Sequence, residues 1–238
     1  MASKLAGPVL PALDLSSWTF NFGSTGPRSL GTPIVRDFAT TLDLLIWIAS
    51  NSDLKSAVQM QVQERVRFDP NWKQWKRQRT FFRDAPHFDS YRGSSYDEFH
   101  AAARSIVAGV GAPPTASQIG MYRGLMAEIA TSAVILPAGQ SLFHGRADRD
   151  LEALPKYPAF LSTSVDPVVA SNHANKRAFN TPRRQIVYHL SLRTSRPAFF
   201  GQAGNAHEYE LLLPAGLTVT ANAVHRAADF DIVEADIH

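Results

Sequence analysis

Apolar residues in the first part of the chain recur with helical spacing. Across residues 38–140 they return every three or four positions, which is the repeat of one buried helix face. The clearest stripe consists of Val58, Val62 and Val66. Thr41 is expected to cap the first helix and Ser117 to precede the longest one, because hydroxyl side chains favour helix starts. The pattern predicts a mainly helical part.

From Ser141 the repeat shortens to that of strands. Six short apolar runs are separated by turn residues. The predicted strands are 141–144, 159–162, 185–192, 209–213, 217–220 and 230–234. One helix interrupts them, beginning near Ser164 or Asp166 with Pro167 in its first turn. A helical block followed by a strand-rich block predicts the α+β class.

The same pattern divides the chain into three parts. Residues 1–37 are rich in glycine, proline and serine, which predicts a flexible segment or one draped over the domain. Residues 38–140 form the helical part, and residues 141–238 form a β-rich core.

Composition narrows the function classes. The chain has 238 residues, of which 45% are hydrophobic and 19% charged, as in globular proteins. A net charge of +3 suits an anionic ligand such as a dinucleotide but is too small to indicate nucleic-acid binding. No cysteine is present and the histidines lack metal-ligand spacing, so we predict no metal site. No apolar run is long enough for a membrane span, and none resembles a secretory signal.

Two glutamates carry the strongest chemical signal. Glu208 and Glu210 are two positions apart at the start of a predicted strand, so their side chains are expected on one face. Paired carboxylates repel each other, and an arrangement of this kind is suited to a cationic substrate or transition state. The alternative is a pair of solvated acids on an edge strand.

A run of three hydroxyl residues forms a second candidate. Ser162, Thr163 and Ser164 lie between an apolar strand and a helix start. Hydroxyls and free backbone N–H groups at such a corner can orient a catalytic acid or receive an anion. The alternative is that Ser164 simply caps the helix.

Three motifs in this order resemble the arginine-specific mono-ADP-ribosyltransferases, which include bacterial toxins and type III effectors injected by plant pathogens. The motifs occupy residues 142–146, 160–164 and 208–216, and the resemblance covers roughly residues 117–238. It implies two packed sheets with helices alongside and a cleft that binds NAD as co-substrate.

The resemblance also implies roles for individual residues. Glu210 matches the catalytic glutamate, Glu208 the residue that engages the acceptor guanidinium, and Ser162 the serine that positions Glu210. The residues matched to NAD binding are His144, Gly145, Arg146, Thr163, Ser164, Phe179 and Arg183, with Arg184 beside the last of them. Residues 201–207 match the substrate-recognition turn.

The first motif departs from the arginine-specific pattern. His144 stands where those enzymes have arginine, as in the diphtheria-toxin and poly-ADP-ribose-polymerase branch. Because Arg146 is two positions further along, we expect both side chains to face the cleft and Arg146 to contact the NAD phosphates. The alternatives are a structural His144 and a surface ion pair of Arg146 with Asp148 or Asp150.

The predicted function is transfer of ADP-ribose from NAD to an arginine of a target protein. The resemblance implies a virulence effector that leaves a bacterium without a cleaved signal peptide and modifies a host protein; the alternative location is the bacterial cytoplasm. A second possibility is a degenerate relative that binds an arginine-containing peptide. A third is a nucleic-acid-binding module built on the basic, tryptophan-containing residues 72–83.

Overall fold

The computed structural model describes residues 10–13, 19–21, 35–50, 55–72, 85–132, 134–147, 151–178, 184–200, 208–227 and 230–238. The helices are α1 (Thr41–Ser50), α2 (Lys55–Phe68), α3 (Pro86–Arg92), α4 (Tyr96–Ala108), α5 (Ala116–Ser132) and α6 (Pro167–Ala178). The strands are β1 (Thr19–Asn21), β2 (Val35–Asp37), β3 (Val134–Leu136), β4 (Ser141–Arg146), β5 (Leu161–Ser164), β6 (Gln185–Leu192), β7 (Arg196–Phe200), β8 (Glu210–Leu213), β9 (Val219–Ala227) and β10 (Phe230–Ile237). The α+β class is confirmed.

The helix starts lie close to their predicted positions, but other residues cap them. The Asp43 backbone N–H donates to Thr40 Oγ1 at 3.1 Å, and the Thr40 N–H donates to the Asp43 carboxylate at 3.2 Å. This reciprocal capping box makes Thr40, not Thr41, the cap of α1. Thr115 and Gln118 form the same arrangement before α5. Ser117 is therefore inside that helix rather than ahead of it.

Eight strands form one sheet in the order β3-β7-β8-β5-β4-β6-β10-β9. The two separate sheets implied by the resemblance are thus the halves of one sheet. The halves are joined between β4 and β5 by the residue pair Phe143–Ser164. β6 and β10 run parallel, whereas the other pairings in this sheet are antiparallel.

Five short elements were not predicted: the antiparallel pair β1 and β2 within residues 1–37, and three elements further along the chain. α3 has seven residues, too few to show a helical repeat. β3 has three and follows α5 almost directly, so its apolar residues read as a continuation of the helix. β7 contains Pro197, and proline, which has no N–H to donate, is uncommon inside a sheet.

Buried aromatic side chains join the helices to the sheet. Phe88 of α3 stacks on Phe199 of β7 with ring centroids 3.9 Å apart. On the other side of the sheet, Trp72 packs edge-on against Phe200. All four are almost completely buried, and full burial of such a side chain is worth roughly 1.5–3 kcal/mol.

In the part of the chain that the structure describes, no helix is both long and apolar enough to cross a membrane.

Gly145 allows α6 to pack directly on β4. A Cβ atom at this position would collide with the backbone carbonyl of Ala170 and with the backbone nitrogen of Ala174. Backbone atoms cannot move aside as the end of a long side chain can, so the close approach requires glycine. This packing fixes the start of α6 beside the end of β5.

Candidate active site

A cavity of about 290 Å³ lies where β4 and β5, the strands that join the two halves of the sheet, meet four other segments. These segments are the end of α3, the first residue of α4, the first half of α6 and the start of β8. Glu208, Glu210, Ser162 and His144 all line the cavity. The structure therefore brings together candidate residues from all three motifs.

Glu210 is the first residue of β8 and is held from two sides. Ser162 Oγ donates a hydrogen bond to its Oε1 at 2.7 Å, and Arg92 Nε lies 3.6 Å from its Oε2. Burial raises the pKa of the Glu210 carboxyl, although the hydrogen bond from Ser162 and the charge of Arg92 act in the opposite direction. The predicted contact between Ser162 and Glu210 is thus present in the structure.

Glu208 reaches the same cavity by a different backbone path. Tyr209, between the two glutamates, has φ of +46°, in the left-handed region that non-glycine residues rarely adopt. The alternation of side-chain directions along a strand therefore does not extend back to Glu208, because β8 begins only at Glu210. The Glu208 carboxylate faces His173 of α6, with Oε1 and Nε2 3.6 Å apart.

The three hydroxyl residues have separate structural roles. Ser162 turns towards the cavity, whereas Thr163 Oγ1 donates to the Leu211 carbonyl at 2.7 Å and ties β5 to β8. Ser164 Oγ donates to the Glu208 carbonyl at 2.5 Å and fixes the turn before β8. It also accepts the backbone N–H of Asp166, and Asp166 in turn caps α6 by accepting the N–H of Val168.

His144 is oriented towards the cavity by the second motif. Its Nδ1 lies 2.5 Å from the Ser162 carbonyl oxygen. Because a carbonyl only accepts, Nδ1 carries the proton in this contact. The contact links the first motif to the residue that holds Glu210.

Arg146 lies in the adjacent cavity rather than in this one. Its Nη1 donates to the Tyr157 hydroxyl at 3.0 Å. Arg146 and Arg104 line a cavity of about 270 Å³ that shares the Tyr96 side chain with the cavity around Glu210. The expectation that His144 and Arg146 face one cleft is therefore corrected: they line two neighbouring cavities.

Comparison with known proteins locates this geometry in a known fold. No family model matches the sequence, and a search of curated proteins finds no match. Among solved structures, the ADP-ribosyltransferase Vis with the M6 inhibitor matches over 81% of this chain and 90% of its own, at 14% identity and a TM-score of 0.53. Vis toxin from Vibrio splendidus matches over 76% and 84%, at 17% identity and a TM-score of 0.51. The chain has the ADP-ribosyltransferase fold.

Arg92 is the main cavity residue that sequence analysis missed. Glu128 of α5 positions the helix that carries it, because its carboxylate accepts the backbone N–H groups of His87 and Phe88 at 2.9 and 2.8 Å. His87 Nδ1 contacts the same carboxylate at 2.7 Å. These contacts secure the N-terminal turn of α3, and Arg92 at its other end reaches Glu210. No motif marks Arg92, so only the three-dimensional contact reveals it.

Several predicted residues fall outside the part of the ADP-ribosyltransferase fold that the structure describes. They are Phe179, Arg183, residues 201–207 and residues 73–83. Arg184 is described and pairs with Asp231 at 2.7 Å, so this arginine fixes the start of β10. Within the described ranges, no group of three or more histidine, aspartate or glutamate side chains is placed to hold a metal ion.

Proposed function

We propose that this chain is a mono-ADP-ribosyltransferase that transfers ADP-ribose from NAD to an arginine of a target protein. The observation that carries the proposal is the convergence of Glu208, Glu210 and Ser162 on one cavity of an ADP-ribosyltransferase fold. The likeness to a toxin fold also supports a role as a secreted bacterial effector that acts on a host protein.

Glu210 serves the departure of nicotinamide. Its carboxylate binds a hydroxyl of the nicotinamide ribose and stabilises the positive charge that develops at the anomeric carbon. Preorganised opposite charge in a water-poor site is worth far more than in water. Ser162 keeps the carboxylate in position, and the buried environment strengthens the interaction.

Glu208 serves the acceptor. A carboxylate grips a guanidinium through two parallel hydrogen bonds, which aligns an arginine nitrogen with the anomeric carbon. The bond between this carbon and nicotinamide breaks, and nicotinamide leaves with the electron pair. The arginine nitrogen forms the new bond and releases one proton, which Glu208 accepts.

The residues present fit NAD across two cavities. The cavity around Glu210 suits the nicotinamide ribose, and Gly145 and His144 form part of its wall. Its volume of about 290 Å³ lies at the lower limit of small-molecule sites, so a dinucleotide requires further space. The adjacent cavity provides that space, and Arg104 and Arg146 in its wall favour phosphate. Arg92 supplies a cation to this cavity, in which the first motif has His144 in place of the expected arginine.

Labelled NAD with agmatine or polyarginine as acceptor tests the proposal. We expect nicotinamide release together with transfer of label, and Glu208→Ala should reduce transfer more than nicotinamide release. Nicotinamide release without transfer would contradict an arginine acceptor. Binding of agmatine without any turnover of NAD would support the degenerate peptide-binding alternative, and salt-dependent binding of oligonucleotides would support the nucleic-acid alternative.

A further inference from the structure

A histidine that belongs to none of the three motifs lies next to Glu208, the carboxylate proposed to bind the acceptor. His173 of α6 lines the cavity, and its Nε2 is 3.6 Å from Glu208 Oε1. The histidine side chain is 43% exposed and that of Glu208 19%, so protons and an incoming guanidinium both have access to the pair. The contact is just longer than a hydrogen bond, which makes it chiefly electrostatic.

The two glutamates face different cations. Arg92, which is always charged, lies beside Glu210, whereas Glu208 faces the imidazole of His173. The other titratable side chains of the cavity wall are Tyr91, Tyr96 and His144. Histidine is the side chain whose charge changes between about pH 5 and 8. Glu208 therefore faces a side chain that can be neutral or cationic, whereas Arg92, 3.6 Å from Glu210, is permanently charged; a positive charge on His173 also lowers the pKa of Glu210.

We propose that His173 is a positioning residue that sets the pH range in which Glu208 binds a guanidinium. As an imidazolium it pairs with Glu208 and repels the cationic acceptor. As a neutral imidazole it leaves the carboxylate to the acceptor. The inference rests on the proposed acceptor role of Glu208 but not on the turnover of NAD.

Titration of agmatine into the whole protein by calorimetry, at about pH 5.5 and about pH 8, tests this pH dependence directly. We expect the natural protein to bind agmatine about five-fold more tightly at the higher pH, which is the range of a partly exposed ion pair. His173→Gln should show a clearly smaller difference between the two pH values. His173→Lys, which keeps a positive charge at this position, should bind weakly at both.

A second histidine–glutamate pair provides the matched control. His225 of β9 lies 3.8 Å from Glu234 and does not line the cavity. His225→Gln should retain the pH dependence of the natural protein. Glu210, whose pKa is raised by burial, lines the cavity in both variants, so a difference between His173→Gln and His225→Gln isolates His173.

The same pH dependence in His173→Gln and in the natural protein would overturn the inference, and so would tight agmatine binding by His173→Lys. Absence of agmatine binding in the natural protein at both pH values would overturn it together with the acceptor role of Glu208. Nicotinamide release, followed separately, distinguishes the two failures. Release and transfer with an unchanged pH profile in His173→Gln would support the transferase but exclude the role of His173 in its pH dependence.

Discussion

The chemistry at the residue scale depends on how one buried carboxylate is kept ready to carry charge. Burial raises the pKa of Glu210, and the hydrogen bond from Ser162 and the proximity of Arg92 lower it. The spacing of Glu208 and Glu210 and the hydroxyl run containing Ser162 could be recognised from sequence, because each is a short local pattern. Arg92 and His173 could not, because their relation to the glutamates arises only when α3 and α6 pack around β8.

Replacement of the Glu210 charge should stop the proposed reaction. Glu210→Gln retains the shape and a hydrogen-bonding group but cannot offset a developing cation. Loss of one such electrostatic contact commonly costs about a hundred- to a thousand-fold in rate. We expect a fall of this size in both nicotinamide release and transfer to agmatine, measured at saturating NAD. Retention of most activity in a folded Glu210→Gln protein would exclude the catalytic role.

Arg92 and Arg146 should have separable effects. Since Arg92 lowers the pKa of Glu210, Arg92→Gln raises that pKa further and shifts the loss of nicotinamide release on acidification to higher pH. Arg146 contacts Tyr157 in the adjacent cavity, so Arg146→Gln should weaken NAD binding without shifting that acid limb. pH profiles of release for both variants make the comparison. An identical acid limb in Arg92→Gln and the natural protein would remove Arg92 from control of Glu210.

At the scale of elements, the predicted helices and strands were found where the repeat is long and regular. β6 was predicted with both ends as observed, because its apolar run is bounded on each side. α3, β3 and β7 were missed because their stability comes from tertiary contacts, such as the stacking of Phe88 on Phe199, and not from a repeat. The first turn of α6 depends on Asp166, which is fully buried.

Asp166 should make the stability of the fold depend on pH. Burial raises its pKa from 3.8 to about 7, against the opposing backbone hydrogen bonds from Val168 and Val169. The folded state thus holds a proton that the unfolded chain releases, so the free energy of unfolding falls as pH rises from about 4 to about 7. Asp166→Asn keeps an oxygen for the helix cap and removes this titration. We expect the variant to be more stable than the natural protein at about pH 8, on the order of a few kcal/mol.

Urea unfolding at several pH values measures this effect, and Asp236 offers a control of opposite sign. Burial acts to raise the pKa of Asp236, but hydrogen bonds from Arg193 and Asn222 bring it below the usual value. Asp236→Asn should therefore lose stability above the pKa of the unfolded carboxyl, where Asp166→Asn gains it. Parallel curves for Asp166→Asn and the natural protein would show that Asp166 remains ionised throughout.

At the scale of the whole molecule, the site lies at the junction of the two halves of the sheet. β4 and β5 form that junction, and they carry His144 and Ser162. Sequence motifs indicated the ADP-ribosyltransferase fold, since their order along the chain is a property of the whole fold. They did not indicate that the halves form one continuous sheet, nor that Arg146 opens into a second cavity, because both depend on the twist and pairing of the strands.

A ligand that bridges this junction should stabilise the entire fold. Binding to the native state alone adds about 2.7 kcal/mol of stability at a ligand concentration one hundred times its Kd. For a domain of this size each kcal/mol raises the Tm by about 2–4 °C, so a rise of about 5–10 °C is expected. A non-hydrolysable carbocyclic NAD analogue is the appropriate probe, because it cannot be consumed during heating.

Arg104→Gln combined with Arg146→Gln should reduce this rise in Tm if the adjacent cavity binds the phosphates, whereas His225→Gln should leave the rise unchanged. A short oligonucleotide at the same concentration of phosphate should give no comparable shift. No shift with the NAD analogue but a clear one with an arginine-containing peptide would identify a fold that has kept its acceptor site and lost its nucleotide site.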